Sequence, residues 1–400
     1  MTSFSKITIS FFFTAFFGVY FTYERKIQIM IKFSCEKVLL QNAIGIASRT
    51  VAQKSSIPAL EGLFLKAGTD LTISGYNMQT GIRTKFSAEV TEPGEIVLNA
   101  RLFGDIVRKL PDDVVVFSAD DKQVVHLTCG DSDFDILGLS AADYPELPEV
   151  EDDNSFTIQQ KLLSEMIDQT SFAVSTNESR PVHTGALFEI ADQKLTVVAV
   201  DGFRLAVRKE ALEQMNGASF SFVAPGSALN EVEKICGDTE DAARITLGKR
   251  HILFEVGDTQ LICRRLEGEF LDYKNAIPRK NPITVTANTK AFIESIDRVS
   301  VVISEKLKSP VRCVFDHDKV LLSAKTGNGE AKDVCRLDGD GNGLEIGFNN
   351  HYLMEALRYA PADTVKIELN TGVSPAIIVP TEGEENFLYM VLPVRLKANE

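Results

Sequence analysis

The sequence predicts an α+β protein built from three copies of one domain, and three observations carry that expectation. A block that reads as a two-stranded hairpin recurs with a period near 125 residues. A helical stretch precedes and follows each copy, and polar, proline-bearing segments separate the copies. The composition agrees. A chain of 400 residues is long for one ordinary core, and 44% hydrophobic with 24% charged residues is the balance of a globular protein, not of a disordered or polytopic membrane chain.

The first 29 residues stand apart from this pattern. Ile7 to Tyr23 is a phenylalanine-rich run with only Lys6 as a basic residue ahead of it and no small-residue cleavage site behind it. It is also shorter than the about 20 apolar residues needed to cross a bilayer. Met30 then opens Met30-Ile31-Lys32-Phe33, a reasonable start for a domain. Residues 1–29 are therefore expected to be an extension created by a start placed too early, with a membrane-directed segment as the alternative. Three domains are expected over 30–150, 155–278 and 282–400.

The hairpin blocks are Asp70–Phe86, Lys194–Glu210 and Lys319–Cys335, whose starts lie 124 and 125 residues apart. In each, alternating apolar positions lead into a polar turn and a second strand. Helices are expected ahead of them over Glu36–Ala52, Gln160–Ser175 and Asn288–Ile303, where apolar residues such as Leu39, Leu40, Ala43 and Ile46 recur at helical spacing. Second helices are expected from Asn99 to a stop at Pro111, from Pro225 to Gly237 and from Asn349 to Pro361. Asn99 and Asn349 suit N-caps and Pro225 suits a first helical position. Strands such as Asp113–Ala119 and Thr364–Asn370 then close each copy. The joints are Asp143–Asn154 and Asp272–Pro282. A period this long exceeds that of solenoid repeats, so each copy is a whole domain.

No catalytic constellation emerges. Cys35, Cys129, Cys236, Cys263, Cys313 and Cys335 form no CxxC pair, the nearest two being 22 residues apart, which suits reduced core thiols of a cytoplasmic protein. His126, His183, His251, His317 and His351 lack metal-ligand spacing, and no nucleophile elbow, phosphate loop or dinucleotide fingerprint is present. The segment Asp338-Gly-Asp340-Gly-Asn342-Gly343 resembles half a calcium loop, but its twelfth position is Asn349 where a bidentate Glu is required. It is expected to be a hairpin turn. No cofactor and no metal are predicted.

Charge is unevenly spread. With 42 basic against 56 acidic residues the chain carries −14 and should not attract nucleic acid in bulk. Yet the expected helices of the first copy carry about +2 each, those of the second about −1 each and those of the third about zero, leaving the acid in strands and loops. Such segregation permits helices to face phosphate.

The repeat, the hairpin Val200-Asp201-Gly202-Phe203-Arg204-Leu205 and the ending Tyr389-Met390-Val391-Leu392-Pro393-Val394-Arg395-Leu396 together resemble the beta subunit of bacterial DNA polymerase III, the DNA sliding clamp, from Met30 to about Leu396. The resemblance implies three DNA-clamp domains, each with two helices and antiparallel sheets, closing as a head-to-tail homodimeric ring around double-stranded DNA without sequence specificity. It implies a processivity subunit without its own catalysis, loaded by a separate ATP-driven clamp loader. It also implies a hydrophobic pocket that takes short peptide motifs of the replicative polymerase, the clamp loader and repair proteins. By matched position that pocket is lined by Gly202, Phe203, Arg204 and Leu205, by Leu271 and Ala276, by Asn349, Tyr352, Val373 and Ser374, and by Met390, Val391, Leu392, Pro393, Val394, Arg395 and Leu396. Leu205 and Val391 also suit inward packing.

The same matching puts Phe134, Ile136, Val301 and Val302 at the dimer interface. It makes Lys37, Arg49, Lys54, Arg101, Arg108, Lys109, Arg180, Lys290, Arg298 and Arg358 the candidates to face DNA. The chain departs from the family's frequent pattern at Val200 (often Thr), Phe203 (often His) and Asn275 (basic in some members), and in its last four residues, Lys397–Glu400. These departures bear on which peptide the pocket prefers. A hydrolase or transferase whose acids converge between domains, and a peptide-binding scaffold that does not encircle DNA, remain the alternative readings.

Overall fold

The computed structural model describes residues 29–151, 154–212, 214–216, 218–303, 309–383 and 386–396. Most of the N-terminal extension and the last four residues lie outside them. Two compact units form: residues up to Pro148 with Asp258–Ile262, and Glu149–Gly257 with Cys263 onward.

In the first unit the helices α1 (Lys37–Ala47) and α2 (Ala100–Lys109) pack on antiparallel strands. A five-stranded sheet runs in the order Glu89–Glu92, Ile29–Glu36, Val114–Asp120, Val124–Cys129, Ser132–Leu137. A second group runs Thr80–Phe86, Leu71–Tyr76, Gly62–Ala67, Gly94–Asn99. Alternation along these strands points Phe33, Leu65, Ile73 and Phe117 inward, where they meet Leu40 and Ile44 of α1 and Phe103 and Val107 of α2. Phe33 and Phe117 stack at 4.6 Å. The expected first helix stops five residues early, at Ala47, and Ser48–Thr50 tightens into a 3-10 turn. There the Thr50 hydroxyl donates to Gly75 O at 2.8 Å and accepts from Ile82 N at 3.1 Å, tying the helix end to the hairpin.

The second unit holds the other two copies. Its helices are α3 (Gln160–Ser171), α4 (Gly226–Ile235), a short α5 (Tyr273–Ala276), α6 (Thr289–Ser300) and α7 (Asn350–Arg358). Asn99, Asn288 and Asn349 cap α2, α6 and α7 through their side-chain oxygens, as the sequence suggests for two of them. Pro225 is instead the N-cap of α4, one position before its expected place, and caps with no side-chain bond. α3 also lacks a side-chain cap. A cap contributes about 1 kcal/mol, whereas Leu163, Met166 and Ile167, all fully buried, each contribute about 1.5–3 kcal/mol, so packing holds α3 in place. The segment expected as a plain linker holds α5, capped by Asp272, which accepts from Asn275 N at 3.3 Å.

A twelve-stranded antiparallel sheet joins these two copies. Its seam is the pairing of Arg204–Ala211 with Phe387–Val391, in the register Leu205 to Met390 and Val207 to Leu388. His126 and His251 lie in strands as expected, and the Asp338–Gly343 stretch ends one strand and turns toward Leu344.

Candidate functional site

The seam places most of the expected pocket residues together. The turn before the strand Arg204–Ala211 is closed by Asp201, whose Oδ1 accepts from Phe203 N at 2.8 Å and Arg204 N at 3.0 Å. Gly202 takes the left-handed φ of +91° that this turn requires. Arg204 then folds back. Its Nε donates to Asp201 Oδ2 at 3.0 Å, its Nη1 donates to Glu355 of α7, and its guanidinium lies 4.6 Å from the ring centre of Tyr352 and 5.3 Å from that of Phe172. Only 9% of its side chain is exposed, so its charge is spent inside the protein. Phe203 stacks on Tyr352 at 5.8 Å while remaining 58% exposed. Partial burial pushes the Tyr352 hydroxyl above its ordinary range, helped by the Asp201 carboxylate.

The last strand completes this rim. Leu392 N donates to Phe203 O at 2.9 Å, and Val394 N donates to Gly347 O at 2.8 Å. Pro393 and Leu396 are half-buried and Arg395 is exposed. Val373 stands 76% exposed beside Ser374, whose hydroxyl bonds that of Thr371 at 2.7 Å. Leu271 is exposed and Ala276 half-buried on the segment around α5. Leu205 and Val391 are fully buried, so neither presents an open surface at this rim.

A buried apolar cluster lies beneath this rim: Leu205 and Met390 pack with Val198, Val200, Val223 and Tyr273, flanked by Phe270 and Leu266. Sequence matching missed Val198, Phe270 and Tyr273. The first could have been found from period-2 alternation along Lys194–Val200; Phe270 lies in an irregular stretch and Tyr273 opens the four-residue α5, too short to show a period. The Tyr273 hydroxyl donates to Glu189, and burial together with that carboxylate raises its pKa.

The cationic candidates divide. Lys54, Arg101, Lys109, Arg180, Lys290 and Arg358 are exposed, as is Arg49 at the end of the α1 region. Arg108 is exposed but pairs with Asp105 at 3.1 Å. Two further candidates are ion-paired within the chain. Lys37, 12% exposed, is tied to Asp112 at 2.7 Å, and Arg298 is tied to Asp333 at 2.7 Å. Neither is a free cation for phosphate. Partial burial of Asp333 opposes its ionisation, but hydrogen bonds from Ser295, Val334 and Arg298 prevail and hold its pKa low.

The interface candidates divide as well. The strand Ser132–Leu137 is an unpaired edge of its sheet. Phe134 and Ile136 are half-buried against the first unit's core, and the apolar side chain displayed there is Leu137, 71% exposed. Val301 is 83% exposed and Val302 half-buried. Among the described residues, no His, Cys, Asp and Glu group could hold a metal, and no helix is long and apolar enough to cross a membrane.

A two-helix, antiparallel-sheet domain that occurs three times in one chain defines the DNA-clamp class of proteins. Family models of the DNA polymerase III beta subunit match in series: the N-terminal domain over residues 31–148, the central domain over 157–272 and the C-terminal domain over 274–395. The chain is 32% identical to the beta sliding clamp of Staphylococcus epidermidis RP62A over 377 residues, covering 92% of this chain and all of that one. It is also 32% identical to the beta sliding clamp of Halalkalibacterium halodurans, covering 90% and 97%. The crystal structure of the DNA polymerase sliding clamp from Bacillus subtilis matches with a TM-score of 0.88 at 28% identity, covering 92% of this chain and all of that one. The chain belongs to the DNA polymerase III beta subunit family, the sliding clamps, whose members are non-catalytic processivity subunits.

Proposed function

We propose that two copies of this chain close head to tail around duplex DNA and that the seam pocket tethers the polymerase, the clamp loader and repair proteins by short peptide motifs. The observation that carries the ring is the open strand edge Ser132–Leu137. An open strand edge offers its unpaired backbone groups to another strand. In the third copy, the strand Gly329–Gly339 pairs with Ile283–Asn288 only over its last three residues, which leaves its first part suited to receive that edge. Asp133 and Asp135 are exposed on one edge and Lys332 and Arg336 on the other, where those cations now pair with Glu330 and Asp318 of their own copy, so closure would exchange these partners across the joint. A head-to-tail contact of this kind closes into a ring when the rotation permits.

Retention by encirclement needs only loose phosphate contact, which suits the exposed Lys54, Arg101 and Lys109. The pocket offers apolar floor and free rim for two anchors of a partner peptide, each worth about 1.5–3 kcal/mol, a scale that suits exchangeable partners. Light scattering should give twice the chain's mass. Protein loaded on a nicked circle should leave when the circle is linearised; a monomer, or retention on the linear form, would refute the reading.

A further inference from the structure

The apolar sheet face continues past the pocket. Two residues along the same strand pair, the half-buried Leu388 comes to the surface over Val207 and, on the next strand, Val379, both of them buried. Successive strand residues alternate faces, so these side chains share the pocket's side of the sheet. They floor a groove of about 700 Å³, walled by Tyr273, Ile277 and Pro278 of the α5 segment.

The rim of this groove is charged in an unbalanced way. Glu189 is already engaged by the Tyr273 hydroxyl and by Lys274 Nζ at 3.2 Å, and Glu368 pairs with Lys366 at 3.1 Å. Lys194 and Lys209 stand on neighbouring strands, Lys209 opposite Thr196, and Arg279 faces them from the α5 segment. All three are exposed, and none has a carboxylate partner among the described residues. Asp192 is the one rim acid without an ion pair there.

We infer that this groove is a second docking site, for an extended acidic peptide segment of a partner protein that carries apolar residues at alternate positions. Alternation fits the groove: in a strand-like peptide, one face would drop leucine-type side chains onto the half-buried Leu388, Ile277 and Pro278, and the acids between them would meet Lys194, Lys209 and Arg279. Three unpaired cations around an apolar floor select against neutral or basic segments. The inference rests on this groove's own walls and stands whether or not the pocket takes a peptide.

The chain contains no tryptophan, so a single introduced indole reports one site. Leu388→Trp marks the groove, and Leu271→Trp marks the pocket. The probe is a synthetic octapeptide of alternating glutamate and leucine, with alternating lysine and leucine as its control. The acidic probe should shift the emission of the L388W dimer and leave L271W unchanged. Reversing K194E, K209E and R279E together in the L388W protein should weaken it by about tenfold, and the lysine control should bind no tighter than that variant. Any of four outcomes overturns the site: no shift in L388W, equal binding of the lysine control, unchanged affinity in the triple variant, or a shift confined to L271W. The chain's own acidic stretch is the rival occupant. If neutralising Glu382, Glu384 and Glu385 to glutamine tightens the probe tenfold, that stretch fills the groove and the partner reading falls.

Discussion

Two hairpin turns one repeat apart have the same backbone and different work. In the first unit, Asn77 Oδ1 accepts from Gln79 N at 3.0 Å and Thr80 N at 2.8 Å, and Asn77 N donates to Thr80 O at 3.2 Å. In the second unit, Asp201 makes the same three bonds with Phe203 and Arg204, at 2.8, 3.0 and 3.3 Å. Both turns need a left-handed second residue: Met78 at φ 71° in one, Gly202 at φ 91° in the other. The turn is therefore a property of the domain, set by an Asx side chain and one residue that accepts positive φ. What differs is the fourth residue. Thr80 ends its turn as a small buried side chain, whereas Arg204 reaches Glu355 and Tyr352 of the next copy and builds the pocket rim.

The largest expected effect tests that difference. Arg204→Ala leaves Asp201 and Glu355 without their cation in a partly buried setting, and should cost about 3–5 kcal/mol of stability. Thr80→Ala in the matching turn should cost less than about 1 kcal/mol. Urea denaturation of both variants reads the contrast, and equal losses would mean that the two turns do the same structural job.

Much of this was legible in the primary structure, and the remainder was hidden for a physical reason. The repeat, the caps Asn99 and Asn349 and the hairpins depend on residues within a few positions of one another, so pattern finds them. The role of Arg204 depends on Glu355, 151 residues away, and no local pattern joins them. Lys37 and Arg298 look like free helix cations in sequence because their partners, Asp112 and Asp333, lie 75 and 35 residues on. That Phe134 and Ile136 sit half-buried against the core was not legible either, because alternation gives two faces but not which one the core takes. The α5 helix is only four residues long, too short for any period to show.

A smaller effect sharpens the comparison from the side of the first turn residue. Asp201→Asn copies what Asn77 does and should keep both backbone bonds. It loses the charge-assisted bond from Arg204 Nε, and should cost about 1.5–3 kcal/mol, less than removing Arg204 itself. If the proposed pocket takes a peptide, its affinity should fall too, because Arg204 then has only Glu355 to hold it under Tyr352. A loss of stability equal to that of R204A would show that Asp201, and not the network, is the anchor.

The smallest effect concerns the left-handed residue alone. Exchanging the two occupants tests whether the turns are interchangeable as backbone. Met78→Gly removes a side chain from positive φ and should stabilise the protein by about 0.5–1 kcal/mol, since the strain relieved slightly exceeds the extra freedom that glycine gives the unfolded chain. Gly202→Met introduces the same strain at a φ still further from the left-handed minimum, with no atom within 4 Å of the added Cβ to clash, so its cost should come from the backbone alone at about 1–2 kcal/mol. Thermal unfolding of the two single variants measures both signs. Because neither substitution touches an Arg204 contact, peptide affinity should stay within about twofold of the parent in each. If G202M weakens peptide binding much further than its stability loss explains, then glycine serves the pocket by leaving room above the turn, and the two hairpins differ at their second residue as well as their fourth.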